Sequence, residues 1–411
     1  MIKKLLSMIA GDMAYSVGAL VCFNGVIQLV IYPYLSKSMG EDAFGIVLVY
    51  LSLISIMGTS FGSGANLSRM VVSMKRTDIN GDYNVFLLFV CVLSIIVSVI
   101  ACLYIGAGNA LFIALLSVLM ILSVLRYYGE VNYRQSVNFK GYFVYYILIS
   151  AGYIIGIVLY RITKSWVLVF LLGEVLAVLY VALRGFIFKR PWFKITDDFK
   201  SNIKSMTVMS FSNLIIAFVL NSDRLFLYNY VGAAEVTVFY TASLIGKTIA
   251  LITVPLNGVL IGYLARYKGR FTSKMFTGFI LGFLALGVIA TVGSTAVSYL
   301  FVRILYPDIF DMAKQYFLIA NAGQIFYFVS NTLMIVVLRF AKEKYQLYIN
   351  IIYAVIFAAA VIPGVKFFGL WGMTISLLAV NLIKYIIVSL TGLIRLRHGD
   401  EVLVSEKQIS I

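Results

Sequence analysis

At 411 residues, 62% hydrophobic and only 12% charged, with a mean hydropathy of +0.99, the chain carries too little polar surface for a soluble globular protein and is read as an integral membrane protein. Apolar runs of about 20 residues, the length a helix needs to cross hydrocarbon, recur from end to end. Alternating strand patterns are absent, which excludes a β-barrel.

The first stretch, M-I-K-K-L-L-S-M-I-A-G-D, has a short apolar part interrupted by Asp12. It is expected to be a retained cytoplasmic end leading into the first span, not a cleaved signal peptide. Twelve spans are predicted, near 13–35, 42–62, 83–105, 109–128, 141–160, 166–186, 206–230, 234–262, 275–302, 315–338, 345–365 and 370–393. With the N-terminus inside, 24 Lys and Arg fall on the inner side against six outside. The inner set includes Arg69, Lys75, Arg76, Arg126, Arg134, Lys268, Arg270 and Lys407. This positive-inside bias accounts for the net charge of +16 and places both termini in the cytoplasm, with no nucleic-acid partner required. The fold class expected is an all-α polytopic membrane protein of about 12 transmembrane helices. Cys22, Cys91 and Cys102 lie within spans without metal-ligand spacing and read as packing residues, with no disulfide implied. His398, the single histidine, falls in the C-terminal tail, so neither a metal centre nor histidine-based catalysis is expected.

Midway, R-G-F-I-F-K-R-P-W-F-K-I-T-D-D-F-K-S-N-I-K (184–204) is the longest basic connection, with a break at Pro191. Trp192 and Phe193 beside lysines point to a segment lying at the inner interface near anionic headgroups. It divides the chain into an N-terminal six-helix lobe (1–186), a basic cytoplasmic linker (187–204), a C-terminal six-helix lobe (205–394) and a cytoplasmic tail (395–411). An internal match supports the division: Y-L-S-K-S-M-G-E-D-A-F-G-I-V (34–47) aligns with F-L-Y-N-Y-V-G-A-A-E-V-T-V-F (226–239), Gly40 over Gly232. Six spans per half make the repeats parallel, an arrangement in which transporters hold substrate between the halves.

Five charges fall well inside spans: Glu174, Asp223, Arg224, Lys247 and Lys384. Each would cost roughly 2.5–3.5 kcal/mol near the centre of a lipid-exposed helix, so such residues face the interior, paired or wetted. Asp223 and Arg224 diverge by about 100° as helical neighbours, so each needs another partner. Arg224 shares a face with Asn213 and Ser210, Lys247 with Ser243, and Lys384 with Asn381 and Thr374. Asn321, Gln324 and Thr332 add polar groups to the tenth span. The five charges sum to +1. Lining one cavity they would favour an anion; the alternative is a structural ion-pair network with Arg224 snorkelling outward.

G-K-T at 246–248 resembles the end of a phosphate-binding loop, but the required earlier glycine is Thr241 and no strand precedes it. No nucleotide or other cofactor is expected, and transport would be driven by an ion gradient or by substrate supply.

The chain resembles the polysaccharide-transporter branch of the multidrug/oligosaccharidyl-lipid/polysaccharide (MOP) exporter superfamily, particularly Wzx-type O-antigen flippases. The residues carrying the resemblance are N-S-D-R-L-F-L-Y-N-Y-V-G (221–232), V-F-Y-T-A-S-L-I (238–245) with Pro255, and L-S-K-S-M-G-E-D-A-F-G (35–45). It departs from the pattern at Thr237, where glycine is common, and at I-G-Y-L-A-R, which lacks a frequent proline. The resemblance implies two six-helix lobes in a V, as in MATE transporters. It also implies export of an undecaprenyl-diphosphate-linked oligosaccharide, an O-antigen or related surface-polysaccharide unit, across a bacterial inner membrane. On that reading Arg224, Lys247 and Lys384 form an anion path, and Asn213, Asn321, Gln324 and Asn381 line the polar cavity. Glu174 or Asp223 exchanges a proton or sodium ion, and a glycan polymerase or chain-length regulator is an implied partner. No enzymatic activity is expected.

A drug/cation antiporter of the same superfamily is the nearest competitor and should prefer an acidic cavity. A membrane glycosyltransferase or glycan polymerase would carry a large outer loop, and every outer loop here is short. A major-facilitator symporter would carry an acidic Gly-Arg-rich first inner loop, absent from S-G-A-N-L-S-R-M-V-V-S-M-K-R-T-D.

Overall fold

The computed structural model describes residues 2–72, 79–106, 108–266, 271–342 and 344–397. Lys75, Arg76, Lys268, Arg270, His398, Lys407 and most of the C-terminal tail lie outside the described residues.

Helix is the one secondary structure throughout the described residues, as it must be where no water is present to satisfy backbone groups. Among the described residues ten helices are long and apolar enough to cross a membrane. α15 (Lys344–Arg397) contains two of the predicted spans, separated by non-helical backbone at Gly369, and α11 (Ala233–Arg266) occupies the place of the predicted eighth span. The chain is an all-α, multi-pass membrane protein.

By packing it falls into two compact units, Met1–Leu225 and Phe226–Ile411. In the first, α1 (Ile2–Val26) continues through a π-turn, Ile27–Ile31, into α2 (Tyr32–Met39). A second π-turn, Gly58–Gly62, joins α3 (Glu41–Met57) to α4 (Ser63–Val72). Then come α5 (Asn80–Ile105), α6 (Ala110–Gly129), the short α7 (Val131–Gln135), α8 (Phe139–Thr163) and α9 (Val167–Arg184). α10 (Phe199–Tyr230) runs across the division. The second unit continues with α11, α12 (Ser273–Leu305), α13 (Pro307–Ala313), α14 (Phe317–Leu338) and α15. Its core joins Phe276, Leu333, Val337, Phe340, Tyr385 and Val388.

The two glycines aligned by the internal match each turn the chain between successive helices. Gly40 (φ +83°) separates α2 from α3, and Gly232 (φ +155°) separates α10 from α11. Both angles fall where a Cβ is disfavoured, which explains glycine at both places.

The basic segment after α9 is a pinned loop as well as a surface strap. Asn80, at the start of α5, donates to the carbonyls of Phe186 and Lys189 at 3.0 and 2.9 Å, and Asn84 donates to that of Trp192 at 2.8 Å. Fully buried Asp82 accepts from Thr196 N (2.8 Å), Thr196 Oγ1 (2.6 Å) and Asn202 Nδ2 (2.8 Å). At Gly81 a Cβ would lie 1.9 Å from the Lys194 carbonyl oxygen, so the segment rests directly on the backbone of α5. Removing the Asp82 carboxylate orphans three donors at once, a loss of roughly 2–4 kcal/mol. Asp82→Ala is therefore expected to release the loop, read as faster tryptic cleavage at Lys189 and Lys194. Unchanged cleavage would show that Asp82 is not what holds it.

Candidate functional site

The polar interior of the first unit is assembled by a close helix crossing. On α8, Gly152 and Gly156 face α9: a Cβ at Gly152 would lie 2.5 Å from Gly173 Cα, and one at Gly156 2.4 Å from the Val169 carbonyl oxygen. Small residues four apart let two membrane helices touch along their backbones. Their sequence neighbours Tyr153 and Glu174 are thereby brought together, and Tyr153 Oη donates to Glu174 Oε1 at 2.8 Å. From α6, Arg126 Nε reaches both carboxylate oxygens, at 2.9 Å from Oε1 and 2.8 Å from Oε2. The Arg126 guanidinium lies 4.1 Å from the centre of the Tyr127 ring and 5.5 Å from that of Phe23. Tyr127 in turn covers the π-turn: a Cβ on Gly58 or Gly62 would collide with it.

One helical turn beyond Arg126, buried Glu130 accepts from Tyr146 Oη at 2.5 Å, from Tyr142 Oη at 3.4 Å and from Arg134 at 2.5 Å. Two of the carboxylates this unit buries are thus each held by an arginine and by a tyrosine hydroxyl. Such groups persist in a membrane interior only when paired in this way. Arg69, fully buried, makes a third cluster, donating to Tyr128 Oη and Asn80 Oδ1, both at 2.5 Å. The sequence reading counted Arg69, Arg126 and Arg134 among inner-loop cations. The structure corrects this: all three lie on helices, and Arg69 and Arg126 turn their guanidinium groups inward to buried partners.

The three α10 candidates also sit in the first unit. Asn213 Nδ2 makes a long bond, 3.4 Å, to the carbonyl of Thr59, within the π-turn, where the widened helical register leaves backbone groups available. Arg224, half-buried, donates to Ser52 Oγ on α3 at 3.1 Å, so it engages a neighbouring helix. Asp223 is 4% exposed.

In the second unit Lys384 is 3% exposed. Its ammonium donates to Asn331 Oδ1 at 2.7 Å and lies 4.7 and 4.3 Å from the ring centres of Tyr327 and Tyr353. No carboxylate among the described residues forms an ion pair with it. Tyr353 Oη donates to Asn381 Oδ1 at 3.0 Å, and Asn381 Nδ2 donates to the Gly323 carbonyl at 2.8 Å. Asn381 and Lys384, three apart on α15, thus belong to one cluster. Asn321 belongs to another: its Oδ1 accepts from Gly246 N at 2.6 Å, and its Nδ2 donates to Ser298 Oγ and the Phe317 carbonyl. This amide fastens α14 to α11 and α12. Gln324 is buried on α14. Lys247, half-buried on α11, lies 5.6 Å from the Phe239 ring centre, and Ser243, on its face, returns its hydroxyl to the Phe239 carbonyl.

The sequence reading missed Arg126, Glu130, Tyr153, Asn331, Tyr327 and Tyr353. One signal was available: Arg126 and Glu130 are four apart, a spacing that puts both on one helix face.

No protein-family model matches the chain, and no curated protein matches it by sequence. Solved structures do match. The inward-facing conformation of a multidrug resistance MATE family transporter of the MOP superfamily is 14% identical, with a TM-score of 0.67, over 92% of this chain and 94% of that one. An outward-facing conformation of such a transporter is 16% identical, with a TM-score of 0.59, over 94% and 96%. A mutant of a Vibrio cholerae MATE transporter is 14% identical, with a TM-score of 0.52, over 96% and 97%. Likeness over nearly the whole of each chain establishes the architecture: this protein has the fold of the MATE family transporters of the MOP superfamily.

Proposed function

We propose that the protein is an exporter that moves an undecaprenyl-diphosphate-linked oligosaccharide, an O-antigen or related repeat unit, from the cytoplasmic to the periplasmic leaflet of a bacterial inner membrane. The observation that carries this reading is Lys384, a buried cation met, among the described residues, by two tyrosine rings and an amide but by no carboxylate. An ammonium has three donors, and Asn331 takes one. The others suit the oxygens of a diphosphate, which binds cations strongly where water is scarce. Arg224 and Lys247 extend the anion path, Asn213, Gln324 and Asn381 supply the polar environment that a sugar headgroup needs, and Asn321 holds α11, α12 and α14 together around it. Glu174 or Asp223 couples transport to protons or sodium ions. The lobes 1–186 and 205–394, joined by the basic linker 187–204, alternate access with both termini in the cytoplasm. A glycan polymerase or chain-length regulator receives the product, and the chain performs no covalent chemistry.

A drug/cation antiporter is the second reading, favoured by the multidrug transporters among the structural neighbours and by the buried carboxylates Glu174 and Asp223. Deleting the gene separates the two. Loss of a surface glycan, with lipid-linked repeat units accumulating on the cytoplasmic face, is the expected result. Intact surface glycans together with sensitivity to cationic drugs would replace the flippase reading with the antiporter.

A further inference from the structure

An apolar groove of about 310 Å³ opens on the first unit between α5, the end of α6 and the loop after α9. Leu87, Leu88 and Leu125 line it from the helices, and Phe188, Trp192 and Phe193 from the loop. A free loop would fold such aromatic side chains away from the surface. Here the bonds from Asn80 to the Phe186 and Lys189 carbonyls, and from Asn84 to that of Trp192, fix the loop backbone over α5. The groove is therefore held open, with Leu88, Trp192 and Phe193 remaining 57%, 55% and 60% exposed.

Cations are interleaved with these aromatics. Lys189, Arg190 and Lys194 are all exposed, and the Arg190 guanidinium lies 5.9 Å from the Trp192 ring centre. The 184–204 segment carries six Lys and Arg against two acidic residues, Asp197 and Asp198. Leu87 and Leu88 belong to a membrane-crossing helix, so lipid is what reaches the groove at high local concentration. A tryptophan beside cations at the end of such a helix is placed for the headgroup level.

We propose that this groove binds an anionic glycerophospholipid, with an acyl chain against Leu87, Leu88, Leu125, Phe188 and Phe193 and the headgroup phosphate on Lys189, Arg190 and Lys194. A zwitterionic lipid fills the same groove but gains little from the cations. The site differs in place and chemistry from the Lys384 cluster and does not depend on the transported cargo.

Tryptophan quenching by brominated lipid in vesicles containing the full-length protein tests this. The signal of Trp192 is isolated by subtracting that of a Trp192→Phe variant, which retains Trp166 and Trp371. Brominated phosphatidylglycerol is expected to quench Trp192 with an apparent affinity about tenfold or more above brominated phosphatidylcholine, since each surface cation contributes roughly fivefold. Lys189→Ser/Arg190→Ser/Lys194→Ser should bring that ratio to near one while leaving quenching by phosphatidylcholine unchanged, which also verifies the fold. Phe193→Ser should weaken quenching by both lipids. Equal affinity for the two lipids in the wild type, or a preference that survives in the triple variant, would overturn the proposal. So would a Trp192 shielded from both lipids, since protein, including a second copy of this chain, would then cover the groove.

Discussion

Lys384→Met is expected to cut transport of a diphosphate-linked cargo by roughly thirtyfold or more, with thermal stability unchanged or raised. The two effects have opposite signs because of how Lys384 is held. A buried charge costs several kcal/mol of desolvation, and an ion partner normally offsets it. Among the described residues Lys384 has two ring faces and one amide oxygen instead. Ring faces contribute about 2 kcal/mol when desolvated. Methionine keeps the length, removes the charge and orphans only Asn331 Oδ1, a loss of roughly 1–3 kcal/mol that the removed desolvation term offsets. A ligand phosphate, by contrast, loses a buried charged hydrogen bond worth roughly 2–5 kcal/mol, which sets the size of the transport defect. Lys384→Arg keeps the charge and should retain part of the activity. Initial rates in proteoliposomes, with protein abundance measured in parallel, check both halves. Wild-type rates with methionine at normal abundance would remove Lys384 from the cargo site. Lys247→Ala, at a half-buried lysine, should have a smaller effect.

The sequence was most legible where a single element sets the outcome. Apolar runs specify helices because a chain in lipid has to satisfy its backbone internally, and Gly40 and Gly232 announce turns between helices by their shared positive φ. Pairings between elements were hidden. Arg126 and Glu174 are 48 residues apart, and nothing local distinguishes an arginine at an inner helix end that reaches water from one that turns inward. The crossing at Gly152 and Gly173 decides it, by bringing the acceptor within reach. The loop after α9 reads as a basic strap because its composition is visible, whereas its fasteners, Asn80, Asp82 and Asn84, lie more than a hundred residues earlier. Polar stripes were legible as stripes but not as partners. Asn321 and Ser243, predicted on interior faces, use their polar atoms on neighbouring helices or their own backbone.

Glu174→Leu should behave in the opposite way to Lys384→Met, with a large loss of stability. The carboxylate and the Arg126 guanidinium are 4% and 6% exposed and meet at 2.8 Å, so removing either one leaves the other charged and buried, at a cost of about 3–5 kcal/mol. Arg126→Met should cost a similar amount for the same reason. The double variant Arg126→Met/Glu174→Leu removes both charges and is expected to recover most of the loss, because well-packed apolar residues replace a buried pair at little or no net cost. Thermal midpoints of the four proteins give the coupling directly. The recovered double variant then separates a structural role of Glu174 from an ion-coupling one. If Glu174 exchanges a proton or sodium ion during transport, the double variant is stable and still exchanges cargo across a membrane without a gradient, but it no longer accumulates cargo when a gradient is applied. If gradient-driven accumulation returns together with stability, the Arg126–Glu174 pair is a fastener between α6 and α9, and coupling falls to Asp223.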